Sequence, residues 1–281
     1  MSRNRSTQET AARGTEKTDV PAVQVSDLQL GYGEDPVVDV DHLTVPRGDV
    51  TALVGPNGSG KSTFLRGIAA ELEPDAGTLM LNGRAVQERS PKELARELGL
   101  LDQENTAPAD LTVESLVTHG RYPHRQFLST LADDDWRAID RAIDLAGVAH
   151  LREQPVAELS GGQKQLAFLA MALAQETEVL LLDEPTAYLD LHHQIRVLEV
   201  VRQLNHDRNV TVCLVLHDLQ QAARFADHVV ALQDGRVHDW GPPSAVVDET
   251  LLAEVFDVEA DVSTGDVPRI DPRRALESPD G

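Results

Sequence analysis

The stretch DVTALVGPNGSGKST, Asp49–Thr63, decides how the rest of this 281-residue sequence is read. Its first half is a short, almost wholly apolar run ended by Gly55, the pattern of a strand buried on both faces. Its second half matches G-x-x-x-x-G-K-[ST] and leads into a helix pattern. A strand before it and a helix after it are the context that makes this motif a phosphate cradle. In Gly55, Pro56, Asn57, Gly58, Ser59 and Gly60, the glycines let backbone N–H groups close around a β-phosphate, and the helix N-terminus faces the negative charge. Lys61 is placed to reach β and γ oxygens. Ser62 offers its hydroxyl to magnesium, and Thr63 can add a phosphate hydrogen bond.

A second buried strand pattern, EVLLLDEP at Glu178–Pro185, delivers two carboxylates to its carboxyl end, where ligands bind in sheets of this kind. Asp183 is expected to hold magnesium through water, and Glu184 to orient and deprotonate an attacking water. A different stretch raises a question. LSGGQKQ, Leu159–Gln165, is another glycine-rich helix start, in a chain whose phosphate cradle is already complete.

Around these motifs strand and helix patterns alternate, the mark of an α/β domain with a largely parallel sheet. The helix after the cradle is expected over Lys61–Leu72, stopping before Pro74. GTLMLNGRAV reads as two short strands turning at Asn82-Gly83, and Ser90-Pro91-x-Glu93 as a capping box that opens a short helix. LGLLDQ, ending at Gln103, is the next strand. From Glu104 the strand pattern disappears, and Trp136, Ile139, Ile143 and Ala146 lay one apolar stripe on a helix. The sheet then resumes, with a helix over Leu191–Asn205 striped by Leu191, Ile195, Leu198 and Val201, followed by the strand VTVCLVL. The resulting division is a polar N-terminal tail, expected to be disordered, over 1–22; one domain over 23–244 with a helical subdomain at about 104–160; and an extension over 245–281 with disordered last residues.

Composition narrows the function classes. No apolar run approaches the roughly 18 residues of a membrane span, and the polar N-terminus resembles neither a signal nor an anchor, so a cytosolic location is expected. Cys213, the only cysteine, lies in an apolar strand pattern and reads as an inert core thiol. The formal net charge is −22, and the excess persists when both terminal segments are set aside. Such a surface repels a nucleic-acid backbone, which excludes nucleic acid as an expected partner. Only Lys17, Lys61, Lys92 and Lys164 are lysines, with arginine carrying the other positive charges. An acidic, lysine-poor body suits a high-salt cytoplasm, where screening removes its self-repulsion.

The order of the cradle, the strand ending in Gln103, LSGGQ, LLLDEP, YLD and VLHD closely resembles the ATPase subunit of an ABC transporter across about Val23 to Gly241. The resemblance implies a P-loop α/β fold with a mostly parallel core sheet, an antiparallel β-subdomain and an inserted α-helical subdomain, using ATP and Mg2+. It assigns Tyr32 to stacking on adenine and Gln103 to contacting magnesium and signalling to a membrane partner. Asp190 becomes the loop aspartate that crosses to a second subunit, and His217 the switch histidine at the γ-phosphate. The resemblance also answers the question of the second glycine motif. In this family LSGGQ of a second copy closes the open side of the γ-phosphate through the Ser160 hydroxyl and the N–H groups of Gly161 and Gly162, with Gln163 completing the motif. Two chains, head to tail, thus trap two ATP in an ATP-dependent homodimer.

GRYPHRQFL at Gly120–Leu128, AYLDLHHQIRVLEVVRQLN at Ala187–Asn205 and LLAEVFDVEADV at Leu251–Val262 are similar to importer ATPases that serve iron-siderophore, haem and cobalamin permeases. QKQL at Gln163–Leu166 departs from the commoner QRQR without changing the phosphate-facing atoms. The implied partners are integral membrane permease subunits and, through them, a substrate-binding protein, at the cytoplasmic side of the cell membrane. The cationic and aromatic residues Arg121, Tyr122, His124, Arg125 and Phe127 are the expected docking surface. A soluble ABC ATPase for a task such as iron–sulfur assembly, or an importer ATPase for another nutrient, remains the alternative.

Overall fold

The computed structural model describes residues 20–33, 35–125, 130–263 and 265–277. Most of the expected N-terminal tail, the last residues of the chain and Phe127 thus lie outside the described residues. Ala22, placed in the tail by the sequence, belongs to the folded body. It is fully buried, donates its N–H to Val45 O and accepts from the N–H of Asn82.

β1 (Val23–Gly31) and β2 (Pro36–Val45) form a hairpin before the cradle strand β3 (Val50–Val54) and its helix α1 (Lys61–Ile68). β4 (Ala76–Leu81) and the short β5 (Arg84–Ala85) return to that hairpin, turning at Asn82 and Gly83, both at positive φ. α2 (Pro91–Glu97), with both halves of the Ser90–Glu93 capping box formed, leads into β6 (Leu98–Leu101). The helical insertion follows as α3 (Val113–His119) and α4 (Asp133–Ala146), and α5 (Gly161–Leu173) runs back toward the sheet. β7 (Val179–Leu182), α6 (Leu191–Arg208), β8 (Thr211–Val215), α7 (Leu219–Phe225), β9 (His228–Gln233) and β10 (Arg236–Gly241) complete the sheet. α8 (Pro243–Val246), α9 (Glu249–Phe256) and a hairpin of β11 (Val258–Ser263) and β12 (Arg269–Ala275) end the described chain.

Among the described residues the core sheet has the order β10-β9-β3-β8-β7-β6, parallel throughout except for β10 at its edge. A smaller antiparallel sheet has the order β2-β1-β4-β5. The apolar runs of the central strands follow from their position between two cores. Val50, Ala52, Val54, Leu180, Leu182, Val212 and Leu214 face the core built with α3 to α6. Leu53, Val179, Leu181, Cys213 and Val215 face the opposite core, built with α1 and the antiparallel sheet. Side chains alternate across a strand, so burial on both faces favours apolar residues at nearly every position, with buried Thr51 in β3 and Thr211 in β8 as exceptions. Cys213 is one of the apolar set, and burial pushes its thiol up to about 12, where it stays protonated and unreactive.

Three expectations are corrected. α1 ends at Ile68, four residues early, because Ala70 adopts a left-handed φ of 55° and turns the chain out of the helix. α4 buries Ala138, Ile139, Ala142, Ile143 and Ala146, while Trp136 stands 37% exposed. A stripe drawn through large side chains missed the alanines that let α4 approach its neighbours. α6 runs on to Arg208, capped by left-handed Asn209, and buries Val197, Leu198, Val200, Val201 and Leu204. Its expected first stripe residue, Leu191, is 68% exposed.

The expected docking segment is also partly structural. Arg121 is buried; its Nε donates to Asp135 Oδ1 at 2.9 Å and its Nη1 to Ala174 O at 2.8 Å, tying α3, α4 and α5 together. α2 holds the next residues, through Lys92 Nζ to Arg125 O and Arg96 Nε to Pro123 O. Among the described residues of this segment, only Tyr122 keeps a largely exposed side chain. Removing the guanidinium of Arg121 leaves buried acceptors and a carboxylate without their partner. Arg121→Ala is therefore expected to cost about 3 kcal/mol in urea unfolding, and Arg121→Lys to recover only part of it, since an ammonium lacks the planar fork.

Candidate nucleotide site

β3, β8, β7 and β6 are parallel neighbours, so their carboxyl ends open on one edge of the sheet. The cradle leaves β3, His217 follows β8, Asp183 and Glu184 follow β7, and Gln103 follows β6. Residues spread over more than a hundred positions meet there because strand order, not sequence distance, sets their spacing.

In the cradle, Gly55 has φ 147°, and a Cβ would lie 2.1 Å from Leu232 O, so no other residue fits. The loop is braced by the β9–β10 turn, where Gly235 N–H donates to Ser59 O. Gly60, the residue before α1, has no side chain to cap the helix, so no cap side chain takes up its first N–H groups and they are open to an anion. These groups border a cavity of about 180 Å³ lined by Val37, Asn57, Gly58, Gly60, Lys61, Ser62, Thr63 and Glu184. The Lys61 ammonium is buried and donates to Gly55 O at 2.9 Å and Pro56 O at 2.7 Å, with Ser59 Oγ at 3.4 Å. It is thus folded onto its own loop instead of extending into the cavity. Burial lowers its pKa, and the charges of Glu184 and Asp183 partly oppose that fall.

Ser62 Oγ donates to Asp183 Oδ1 at 2.9 Å. Burial raises the pKa of Asp183, against the pull of this hydrogen bond. The hydroxyl and the carboxylate are hard oxygen ligands placed side by side at the cavity wall, a donor set that fits magnesium completed by phosphate oxygens and water. Glu184 has φ 48°, a left-handed conformation that a long side chain adopts at a cost. Its carboxylate accepts from Gln103 Nε2 at 2.6 Å and meets His217 Nε2 at 2.7 Å. Gln103 therefore joins Glu184 here, not the Ser62–Asp183 pair with which the sequence grouped it.

Tyr32 lies outside the cavity lining. The residue is 63% exposed beside a neighbouring cleft shared with Arg66, Glu71, Leu72, Asp102, Gln103 and Glu104. Arg66 Nη1 donates to Tyr32 Oη at 3.2 Å. Arg66 and Val37 were not anticipated; the position of Arg66 one turn beyond Ser62 on the same helix is the signal that could have found it.

Ser160, Gly161, Gly162 and Gln163 are not among the residues lining their own chain's cavity. Ser160 and Gly161 are exposed at the N-terminus of α5, where Ser160 and Gln163 form a capping box. Gly162 is packed so tightly on the ring of His193 that a Cβ would lie 2.2 Å from it. Asp190 caps α6, its Oδ1 accepting from His193 N–H and facing His193 Nδ1, both at 2.9 Å. Beside it Tyr188 is 97% exposed.

An ABC transporter family model matches residues 38–187. The petrobactin import ATP-binding protein FpuD of Bacillus anthracis is 43% identical over 243 residues, covering 86% of this chain and 89% of that protein. The ferric enterobactin transport ATP-binding protein FepC of Escherichia coli is 44% identical over 229 residues, 82% of this chain and 84% of that one. The cobalamin import ATP-binding protein BtuD of Halobacterium salinarum is 40% identical over 242 residues, 86% of this chain and 60% of that one. Among solved structures, cbiO1 of Clostridium perfringens, part of the ABC transporter complex cbiONQ, superposes with a TM-score of 0.73 at 26% identity, covering 81% of this chain and 91% of that one. A dimeric bacterial ABC transporter cassette shares the fold at a TM-score of 0.69 and 24% identity, over 79% and 98% of the two chains. With a family model spanning more than half of the sequence, and relatives this similar over most of their length, the chain belongs to the ABC transporter family, as one of its ATP-hydrolysing subunits.

Proposed function

We propose that this subunit works as a homodimer beneath a membrane permease, on the cytoplasmic face, and powers uptake of a metal chelate of the iron-siderophore or cobalamin type. The observation that carries the catalytic part is the Glu184 carboxylate, gripped between Gln103 and His217 beside the phosphate cavity. ATP phosphates bind over the start of α1, where Lys61 exchanges the carbonyls of Gly55 and Pro56 for phosphate oxygens. Ser62 and Asp183, which already face each other, would hold magnesium, joined by Gln103 once it exchanges its bond to Glu184 for the metal; the ion would supply positive charge beside the phosphates. Glu184 takes the proton of the water that attacks the γ-phosphate, while His217 fixes the geometry of that carboxylate and of the phosphate. Tyr32 stacks on adenine. Ser160, Gly161, Gly162 and Gln163, together with Asp190, serve the partner's nucleotide; the exposure of Ser160, Gly161, Asp190 and Tyr188 supports this arrangement.

For the permease, the surface next to Gln103 is the favoured dock. A groove of about 590 Å³ there is lined by Leu72, Val86, Arg89, Leu94, Leu98 and Asp102 among others. Among the described residues no helix is long and apolar enough to cross a membrane, so coupling to a bilayer runs through such a surface. The cargo class rests on the similarity to FpuD, FepC and BtuD, import and transport proteins for petrobactin, ferric enterobactin and cobalamin; none of these relatives is a soluble iron–sulfur assembly subunit.

Glu184→Gln is expected to keep ATP binding, to lose nearly all turnover, and to accumulate ATP-bound dimers in size-exclusion chromatography. Turnover at the wild-type rate would remove Glu184 from the base role. In cells, deleting the gene is expected to abolish energy-dependent uptake of one siderophore, haem or cobalamin chelate while sugar and phosphate uptake persist. Normal entry of every chelate with loss of another nutrient would sink the cargo assignment. The acidic body also supports a high-salt setting. The Debye length falls to about 3 Å at molar salt, which screens the repulsion of a −22 chain. Melting temperature and dimer fraction are therefore expected to rise from low salt toward molar potassium chloride; a flat or falling curve would refute the halophilic reading.

A further inference from the structure

α7 begins two residues after His217 and is held on both sides by glutamine amides. Asp218 caps it, Oδ1 accepting from the N–H groups of Gln220 at 2.8 Å and Gln221 at 3.1 Å, so a shift of this helix carries the neighbouring His217 with it. On the inner side, buried Gln221 donates through Nε2 to Gln194 Oε1 at 2.8 Å. Gln194 in turn donates through Nε2 to the carbonyl of Leu189 at 3.0 Å, in the loop that carries exposed Tyr188 and Asp190. On the outer side, Gln220 Nε2 donates to Pro268 O at 2.9 Å and its Oε1 accepts from Ile270 N–H at 3.1 Å, which fastens α7 to the C-terminal hairpin.

The inner link has a feature that packing alone does not explain. Gln221 Oε1 is buried and finds no partner among the described residues, a cost that an apolar side chain of the same length would avoid. What the amide adds is a directional tie between two segments, 27 residues apart, that both border the reaction. One segment sets His217, which faces the Glu184 carboxylate. The other is the loop that runs from Glu184 to Asp190 and meets the second subunit in the reading above.

We infer that Gln194 and Gln221 are positioning residues that tie the placement of His217 to the seating of the Leu189–Asp190 loop, with the Gln220 clasp on the hairpin bracing the far side of α7. Hydrolysis would then be set in register by contact with the partner, through two amides in the same chain. The inference rests on the roles proposed for His217 and for the dimer, and deepens them.

Steady-state ATP hydrolysis by the full chain tests it, with Gln194→Met, Gln221→Met, the double variant and His217→Ala assayed together. Each single variant is expected to lower kcat about fivefold to tenfold, the scale of one lost buried hydrogen bond, with KM for ATP unchanged within about twofold. The double variant is expected to be no worse than the more damaging single one, because both remove the same link. In a Glu184→Gln background the ATP-trapped dimer is expected to form with or without the relay, which separates positioning from assembly. Should a Met variant melt below the assay temperature, the Gln→Glu variant at that position, which keeps the shape and loses the donor, replaces it. Unchanged kcat in the single variants beside an inactive His217→Ala would overturn the relay, as would independent, multiplying losses. Wild-type activity in His217→Ala would instead overturn the reading of the site on which the relay rests.

Discussion

The site depends on one constraint, the parallel alignment of β3, β8, β7 and β6 as neighbours in the core sheet. Parallel strands send all their carboxyl ends to the same edge, about 4.8 Å apart from strand to strand, and every chemically useful group of the cavity hangs from one of these ends. The cradle, the Asp183–Glu184 pair, Gln103 and His217 need no separate device to find each other. The buried alternation of side chains that holds the strands in register against two cores also holds these residues in place. A one-residue slip of β7 would turn Leu180 and Leu182 toward the opposite core and displace Glu184 from both its partners.

The electrostatics of the site follow from that packing. Lys61, Asp183 and Glu184 are concentrated at one end of the sheet, and each is held by specific bonds: carbonyls for Lys61, Ser62 for Asp183, and Gln103 with His217 for Glu184. Burial pushes Lys61 and Asp183 toward their neutral forms, opposed only in part by the carboxylate charges of Glu184 and Asp183 for Lys61 and by the Ser62 hydrogen bond for Asp183. Phosphate and its counter-ion would satisfy both groups more fully than the protein does alone. The outer surface poses the reverse problem, since its acidic groups are well hydrated but repel one another.

The insertion and the C-terminal region show how fold-level detail serves that edge. The Arg121 guanidinium joins α3, α4 and α5, while the neighbouring Tyr122 stays exposed and a separate groove opens by Asp102. The hairpin β11–β12 reaches α7 through a side-chain amide that copies a strand's own pairing, one donor and one acceptor. Among the described residues neither region lines the cavity beside Lys61, and each is joined to the rest of the domain through helices.

What the sequence by itself determined is whatever a local pattern can carry. The strand–loop–helix order of the cradle, the strand-end position of Asp183 and Glu184, the Ser90 capping box, the Asn82-Gly83 turn and the buried Cys213 each depend on neighbours within a few positions, and each takes its expected place in the structure, although Lys61 folds back onto its own loop. The helix limits and stripes did not, since Ala70, Trp136 and Leu191 are governed by what packs against them and periodicity alone is blind to it. Arg121 looked like a surface cation because nothing in GRYPHRQFL reveals that Asp135 and the end of α5 lie beside it. Tertiary structure alone decided that Gln103 and His217 close on Glu184, that Arg66 reaches Tyr32, that His193 seats under Gly162, and that Gln194 and Gln221 join two loops. Each of these pairs is made by sheet order and helix packing, which bring together segments that no sequence window contains.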